Sequence, residues 1–170
     1  MHMKTSTLVT VLGLFAGVLS AEPAAAVTVD FVDTDNFTDF TNSYSFPDRG
    51  QDKIIENLSE YITTRAERKL PAGFSLQVVV TDVDMAGEFE PWRSSSSSDV
   101  RIVKDLYPPR INLSFRVVNA QGAVVAEGNR KLRDMGFMYS GRALDSDPLK
   151  YEKKLLDRWI SRELGRDLKI

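Results

Sequence analysis

Acidic residues are concentrated in one stretch of the chain, residues 81–93, which reads TDVDMAGEFEPWR. Its four carboxylates, within nine positions, belong to Asp82, Asp84, Glu88 and Glu90. Clustered carboxylates can coordinate a hard cation such as Ca²⁺, or act as an acid/base pair in glycoside hydrolysis. The Trp92-Arg93 pair that ends the stretch is instead typical of the anchors of a binding interface. The stretch therefore admits three kinds of site.

Neither carboxylate chemistry has a specific signature here. The order DVDMAGEFE lacks the DxDxDG spacing of a calcium loop, so no metal site is assigned. Asp82 and Asp84 would lie ~6.6 Å apart along a strand, within the range used by glycosidases. Any two strand residues at this spacing satisfy that range, so no catalytic residue is assigned. A carboxylate-dependent hydrolase acting on envelope sugars is kept as the alternative function.

Aromatic and basic residues in and near the acidic stretch favour a recognition surface. The candidate binding residues are Phe89, Trp92, Arg93, Tyr107 and Arg110. A loop of about 15 residues without secondary structure is more often functional or disordered than idle. The structural alternative is that Phe89 and Trp92 fold back as a lid over the sheet edge. The solvent exposure of Trp92 distinguishes these two interpretations.

Histidine and cysteine chemistry is excluded by composition. The chain has no cysteine, and its one histidine, His2, lies in the predicted leader. An exported chain would therefore have no Ser-His-Asp or Cys-His catalysis and no thiolate or imidazole metal site. No cofactor is predicted. The net charge of −2 provides no basic surface for nucleic acid.

The first 26 residues have the pattern of a secretory signal peptide. Lys4 precedes an uncharged apolar run from Leu8 to Leu19, and small residues follow. Cleavage is predicted after Ala26, with cleavage after Ala21 as the second choice. The apolar run is shorter than the ~20 residues that span a bilayer, and no later segment is long and apolar enough. We therefore expect a periplasmic protein without a transmembrane segment, with residues 27–170 as a single domain.

Hydrophobic periodicity predicts an α+β fold. The predicted strands are Val27–Val32, Phe74–Asp84, a short piece Val100–Lys104, and the hairpin arms Arg110–Val118 and Ala123–Arg133. A helix over Asp48–Leu70 connects the first two strands, which should therefore be parallel. A second helix should begin at Asp147-Pro148 and end at Gly165. These elements predict a mixed sheet, formed by a strand-helix-strand crossover plus an antiparallel hairpin, with both helices mainly on one face.

Side-chain phase adds two more specific predictions. If the apolar face of the second strand continues with a two-residue period, Asp82 and Asp84 face the core. The same period on the returning hairpin arm places Arg130 inward, so a structural ion pair between Arg130 and Asp82 or Asp84 is expected. The charged residues predicted to cover the outer face of the second helix are Lys150, Glu152, Lys153, Lys154 and Asp157.

Several motifs also carry a family resemblance. The segments FVDTDNFTD, a helix ending in LPAG, VTDVDMAGEFEPW, VRIVKDLYPPRINLSF, AEGNRKLRD and DPLKYEKKLLDRW follow one another in this order. Together they resemble an uncharacterised family of exported bacterial proteins, domain of unknown function 3016, over nearly all of the exported chain. The resemblance implies an envelope location and no activity. The predicted function is thus a non-catalytic binding or accessory module whose partner is an unknown envelope protein or ligand.

Overall fold

The computed structural model describes residues 24–46, 50–92, 99–139 and 146–168. Most of the predicted leader, Arg93 and the serine run lie outside these ranges. The strands are β1 (Ala26–Phe31), β2 (Ser75–Asp84), β3 (Glu88–Phe89), β4 (Arg101–Ile102), β5 (Arg110–Val118) and β6 (Val124–Arg133). The main helices are α1 (Gln51–Glu67) and α2 (Lys150–Arg158), and α2 continues through a π-helical turn, Trp159–Leu164, into α3 (Gly165–Asp167). Short 3-10 turns lie at Thr34–Asn36 and Phe137–Tyr139.

The larger sheet has four strands in the order β1-β2-β5-β6. β1 is parallel to β2, while β2 with β5 and β5 with β6 are antiparallel. This arrangement confirms the predicted α+β class, the parallel first pair and the hairpin. β3 and β4 form a separate antiparallel two-stranded sheet.

One face of the larger sheet carries the core. Its inward side chains on β2 and β5, among them Val78, Val80 and Leu113, are buried in one cluster with the apolar stripes of both helices. α1 contributes Ile54, Leu58, Ile62 and Ala66, which recur at the spacing of one helix face. The opposite face is polar and open, as is usual for antiparallel sheets covered on one side. Both helices therefore pack on a single face.

α1 is shorter than the sequence predicted. Gly50 precedes it in the left-handed conformation, with φ at 86°, and the N–H groups of Lys69 and Leu70 both donate to the Ala66 carbonyl beyond its last residue. Asp48, the predicted first residue, lies outside the described ranges. No helix in the described part of the chain combines the length and apolar character needed to cross a membrane.

The C-terminal helical segment begins close to the prediction and ends beyond it. The Asp147 carboxylate accepts a 2.8 Å hydrogen bond from the Leu149 N–H, as a capping residue does, and regular helix starts at Lys150. Gly165 was expected to end the helix, and that expectation is wrong. Its φ of −59° is helical, so the chain continues into α3. Trp159 in the π-helical turn is fully buried and packs edge-on against Phe115.

β2 contains a bulge that changes which side chains face the core. Val80 pairs with Leu113 and Asp82 with Asn112, so Thr81 is an extra residue without a partner on β5. Beyond the bulge, Val83 is buried, and Asp82 and Asp84 lie on the opposite side of the strand, half-buried. The predicted inward orientation of these two carboxylates is therefore wrong.

Candidate functional site

The acidic stretch and β4 together form a lobe at the end of β2, which we call the acidic lobe (residues 84–92 and 99–107). The lobe is joined to the polar segment after β1. The Met85 N–H donates to the Asp39 carbonyl at 3.0 Å, and the Asp39 N–H donates to the Val83 carbonyl at 3.1 Å. The end of β2 is thus extended by a short parallel bridge between Asp39 and Asp84.

Arg101 is the central cation of the acidic lobe. Its guanidinium forms a two-point ion pair with Asp39, with nitrogen–oxygen distances of 2.5 and 2.8 Å. It also donates to the carbonyl oxygens of Gly87 at 3.1 Å and Thr41 at 2.7 Å. Both side chains of the pair are largely buried. Arg101 therefore connects three separate segments of the chain.

Phe89 faces inward as part of this frame. It is buried, the Arg101 guanidinium carbon lies 4.5 Å from its ring centroid, and the Tyr44 ring lies 6.4 Å away. The cation–π contact stabilises Phe89 against Arg101. For Phe89 the sequence allowed a binding anchor or a structural lid, and its burial agrees with the lid.

Glu90 is buried and forms the second anchor of the acidic lobe. It pairs with Lys104 and accepts a 3.0 Å hydrogen bond from the Tyr107 hydroxyl. The Tyr107 carbonyl in turn accepts a 3.0 Å hydrogen bond from the Gly87 N–H. Gly87 has a φ of 86°, and a Cβ there would lie 2.9 Å from the Ile102 carbonyl oxygen, so the turn requires glycine. Tyr107 thus positions the turn at residues 84–90.

Trp92 is exposed, unlike Phe89, the other aromatic residue predicted for the binding surface within residues 81–93. Its side chain is 72% exposed, two residues beyond the buried Glu90. Of the predicted binding residues, Phe89 and Tyr107 are held within the lobe and Trp92 projects from it. Arg93 lies outside the described residues.

Arg110 pairs with an acidic residue of the neighbouring strand. It stands directly opposite Asp84 in the register of β2 and β5, and its Nε donates to Asp84 Oδ2 at 2.6 Å. Burial raises the pKa of Asp84 above its ordinary value, an effect that the Arg110 guanidinium opposes. Asp82 accepts hydrogen bonds from the Thr38 N–H at 2.8 Å and from the Asn112 side chain at 3.3 Å.

The expected ion pair of Arg130 with Asp82 or Asp84 is therefore replaced by other pairs. Arg130 does lie on the core face, where its guanidinium covers the Phe115 ring at 4.9 Å. It pairs there with Asp167 of α3 and, at 3.5 Å, with Glu163. The bulge at Thr81 turned both aspartates to the other face of the sheet, so they are on the wrong side to meet Arg130.

The remaining carboxylate of the acidic stretch also has a local hydrogen bond. Glu88 Oε1 accepts from the N–H of Phe89 at 3.0 Å. Within the described ranges, no three acidic or histidine side chains come together as metal binding would need. The carboxylates of the stretch contact basic side chains, hydroxyls, amides and backbone N–H groups.

One carboxylate predicted to lie on the surface is buried. Glu152 was assigned to the outer face of α2, yet it is 1% exposed. Its Oε1 accepts a 2.7 Å hydrogen bond from the Ala86 N–H, and among the described residues no atom donates a hydrogen bond to its Oε2. A signal was present, because Glu152 lies three and four residues before the buried Leu155 and Leu156 and so shares their stripe.

A cavity of about 330 Å³ opens beside this contact. It lies between the acidic lobe and the start of α2, and its lining includes Ala86, Arg101, Val103, Asp147, Lys150 and Tyr151. Both signs of charge line it, and Arg101 is already engaged by Asp39. The cavity alone therefore identifies no ligand.

The fold and the acidic lobe define a small α+β domain with one helix-covered face, one open face and an exposed tryptophan in the lobe at the end of β2. The chain belongs to the family described as "Protein of unknown function (DUF3016)", which matches residues 25–162. This confirms the resemblance drawn from the sequence motifs.

Solved structures add little to the family assignment. A PelC dodecamer from Paraburkholderia phytofirmans shares 17% identity over 80% of this chain and 86% of that chain, with a TM-score of 0.34. A point variant of the same protein, also described as a dodecamer, shares 14% identity over 83% and 88%, with a TM-score of 0.33. At these TM-scores neither the fold nor the assembly of PelC is transferred to this chain. Among curated proteins no relative matches.

Proposed function

We propose that this chain is an exported, non-catalytic binding module of the bacterial cell envelope, and that its partner contacts the turn carrying Trp92. The observation that carries the proposal is the 72% exposure of Trp92 immediately beyond a fixed base. Tryptophan is enriched at binding hot spots, where its large surface is buried by a partner. A rigid base lowers the entropy lost when that contact forms.

Other exposed apolar side chains on the acidic lobe, and on the segment hydrogen-bonded to it, support this proposal. Val100, Val103 and Leu106 of the acidic lobe are exposed, as are Tyr44 and Phe46. The Tyr44 segment is held to the lobe by Asp99, which accepts hydrogen bonds from the Ser45 N–H at 2.8 Å and the Ser43 hydroxyl at 3.0 Å. Several exposed apolar groups on connected segments are what an interaction surface would present.

The carboxylates favour binding over hydrolysis. Asp84 is held by Arg110, Glu90 by Lys104 and Asp82 by Thr38. A general acid or base needs access to the proton it transfers. Both oxygens of Asp82, Asp84 Oδ2 and Glu90 Oε1 already accept hydrogen bonds from neighbouring donors. Replacing Asp82 and Asp84 by Asn should therefore lower stability without removing an enzymatic activity.

The envelope location is proposed from the leader pattern, and the structure bears on where the leader would be cleaved. The Ala26 N–H donates to the Phe74 carbonyl at 3.0 Å, and Ala25 packs against the core. Cleavage after Ala21 would keep both contacts, whereas cleavage after Ala26 would remove them. Mass spectrometry of the protein recovered from a periplasmic fraction would give the mature N-terminus.

Binding can be tested with a chain that begins at Glu22, which keeps β1 complete. The partner is isolated from a solubilised envelope fraction, purified and titrated against the wild-type chain and the Trp92→Ala variant. We expect the variant to bind at least about tenfold more weakly, the effect of losing an interface anchor. Tyr139→Ala is the matched control, because Tyr139 is an even more exposed aromatic on another element. Equal affinity of Trp92→Ala and wild type would refute the proposal.

A further inference from the structure

The edge strand β6 has a free side. It is the last strand of the four-stranded sheet and pairs only with β5 within the described part of the chain. It runs for ten residues, VVAEGNRKLR, without proline. A long edge strand presents a row of unpaired N–H and C=O groups that another strand can pair with.

The side chains of β6 divide between the two sheet faces. Glu127, Asn129 and Lys131 are exposed on the open face. Leu132 is buried on the core face, and Ala126 packs against the core. Glu127 makes only an exposed pair with Arg116, at 3.1 Å, and Lys131 has no charged partner among the described residues.

We propose that two copies of this chain pair through β6, antiparallel, with the two-fold axis at Asn129. The result is a continuous eight-stranded sheet. In this register Glu127 of each copy lies directly opposite Lys131 of the other, so two opposite-charge pairs form on the open face. On the core face Ala126 lies opposite Leu132. Directly opposed side chains of these kinds stabilise antiparallel strands.

Other registers are disfavoured by the same sequence. An axis at Arg130 or Lys131 places that cation against its own copy, which is destabilising. An axis between two residues pairs open-face positions with core-face positions and breaks the continuity of both faces. An axis at Gly128 opposes no two charges. The Asn129 axis is the one that brings both Glu127–Lys131 pairs together.

The Arg130 side chain bends back over Phe115 to Asp167, within its own copy, and its Nη1 also donates to the Asn129 carbonyl at 3.0 Å. In the dimer that carbonyl accepts from the partner strand as well, which its second lone pair allows. In the Asn129 register Arg130 faces Gly128, which has no side chain. The dimer involves a different element from the Trp92 turn and does not depend on the proposed binding function.

Charges on an edge strand can also serve to prevent association, and the experiment separates the two roles. The mass of the chain beginning at Glu22 is measured by sedimentation equilibrium over a range of concentrations. We expect a dimer that Glu127→Lys and Lys131→Glu each weaken about tenfold, since two attractive pairs become repulsive. The double variant, in which the charges are exchanged, should dimerise as wild type does.

A control separates the pairing from net charge. Glu60→Lys makes the same charge change on the exposed face of α1 and should leave the dimer intact. A monomeric wild-type chain at every concentration overturns the proposal. A dimer whose dissociation constant is unchanged in Glu127→Lys and Lys131→Glu also overturns it. So does a double variant that dimerises as weakly as the single variants.

Discussion

The Glu152 carboxylate accepts a 2.7 Å hydrogen bond from the Ala86 N–H, although the two residues lie 66 positions apart. The contact joins α2 to the segment between β2 and β3. That segment leads directly to Glu90 and Trp92. Glu152 thus fixes the base of the proposed binding turn to the helical layer.

Glu152 should make stability depend on pH. Burial raises its pKa above the ordinary 4.5, while the Ala86 N–H and Arg101 lower it and Asp147 raises it further. Because the folded-state pKa is the higher one, the folded state binds more protons between the two values. The contribution of Glu152 to the free energy of unfolding is fully present below pH 4.5 and is lost as the pH rises through its folded-state pKa.

The variant Glu152→Gln removes that charge and keeps an oxygen acceptor for Ala86. At about pH 8 we expect its free energy of unfolding to exceed that of wild type by about 1 kcal/mol or more, since no charge is buried. Near pH 4 the advantage should vanish. Urea denaturation followed by circular dichroism at both pH values gives the difference. Glu60→Gln, on the exposed face of α1, is the control. If Glu152→Gln changed the free energy of unfolding equally at both pH values, the prediction would be contradicted.

The Asp39–Arg101 pair should be the main structural ion pair of the acidic lobe. Arg101→Ala removes the guanidinium that donates to the largely buried Asp39 carboxylate and to two backbone carbonyls. Loss of one partner of such a pair costs about 3 kcal/mol. The free energy of unfolding from urea titrations should fall by this amount.

An exposed pair gives the matched comparison for Arg101. Arg116→Ala removes the partner of Glu127, and both side chains of that pair are more than half exposed. It should cost less than about 1 kcal/mol. If Arg101→Ala and Arg116→Ala lowered the free energy of unfolding by similar amounts, the Asp39–Arg101 pair would contribute little to stability.

The emission of the two tryptophans should report the acidic lobe and the core separately. Trp92 is 72% exposed and Trp159 is fully buried. Wild-type fluorescence should therefore contain one component that acrylamide quenches readily and one that it barely reaches. Trp92→Phe should remove the quenchable component and leave blue-shifted emission. A Trp92→Phe chain quenched as strongly as wild type would show that Trp92 is shielded in solution.

The regular elements were predictable because each follows one period. The i, i+4 recurrence of Ile54, Leu58, Ile62 and Ala66 predicted α1, and alternation predicted β5 with its exact bounds. The connection between β1 and β2 through a long helix then required them to be parallel. These are local patterns, and local patterns are what a sequence displays directly.

The acidic lobe depends on contacts between distant segments, and these were missed. Arg101 reaches Asp39 across 62 positions, and neither residue stands out in its own segment. The bulge was missed because a two-residue period was continued through Thr81. The order Asp82-Val83-Asp84-Met85 did indicate the bulge. Val83 and Met85 can share the buried face of Val80 only if one extra residue stands between Val80 and Val83.

Deleting Thr81 tests that account of the bulge. Without it, β2 alternates without interruption, and Val80 and Val83 keep their partners Leu113 and Ile111. The expected cost is about 1 kcal/mol, for the 3.3 Å hydrogen bond from Thr81 to the Asn112 carbonyl. Deleting Val83 shortens β2 equally but moves the Asp82 carboxylate into the buried position opposite Ile111. That variant should lose more than about 4 kcal/mol or fail to fold. Urea denaturation gives the free energy of unfolding of both deletion variants. Equal losses would mean that the fold requires the bulge itself, and not merely the burial of Val83 with Asp82 and Asp84 on the other face.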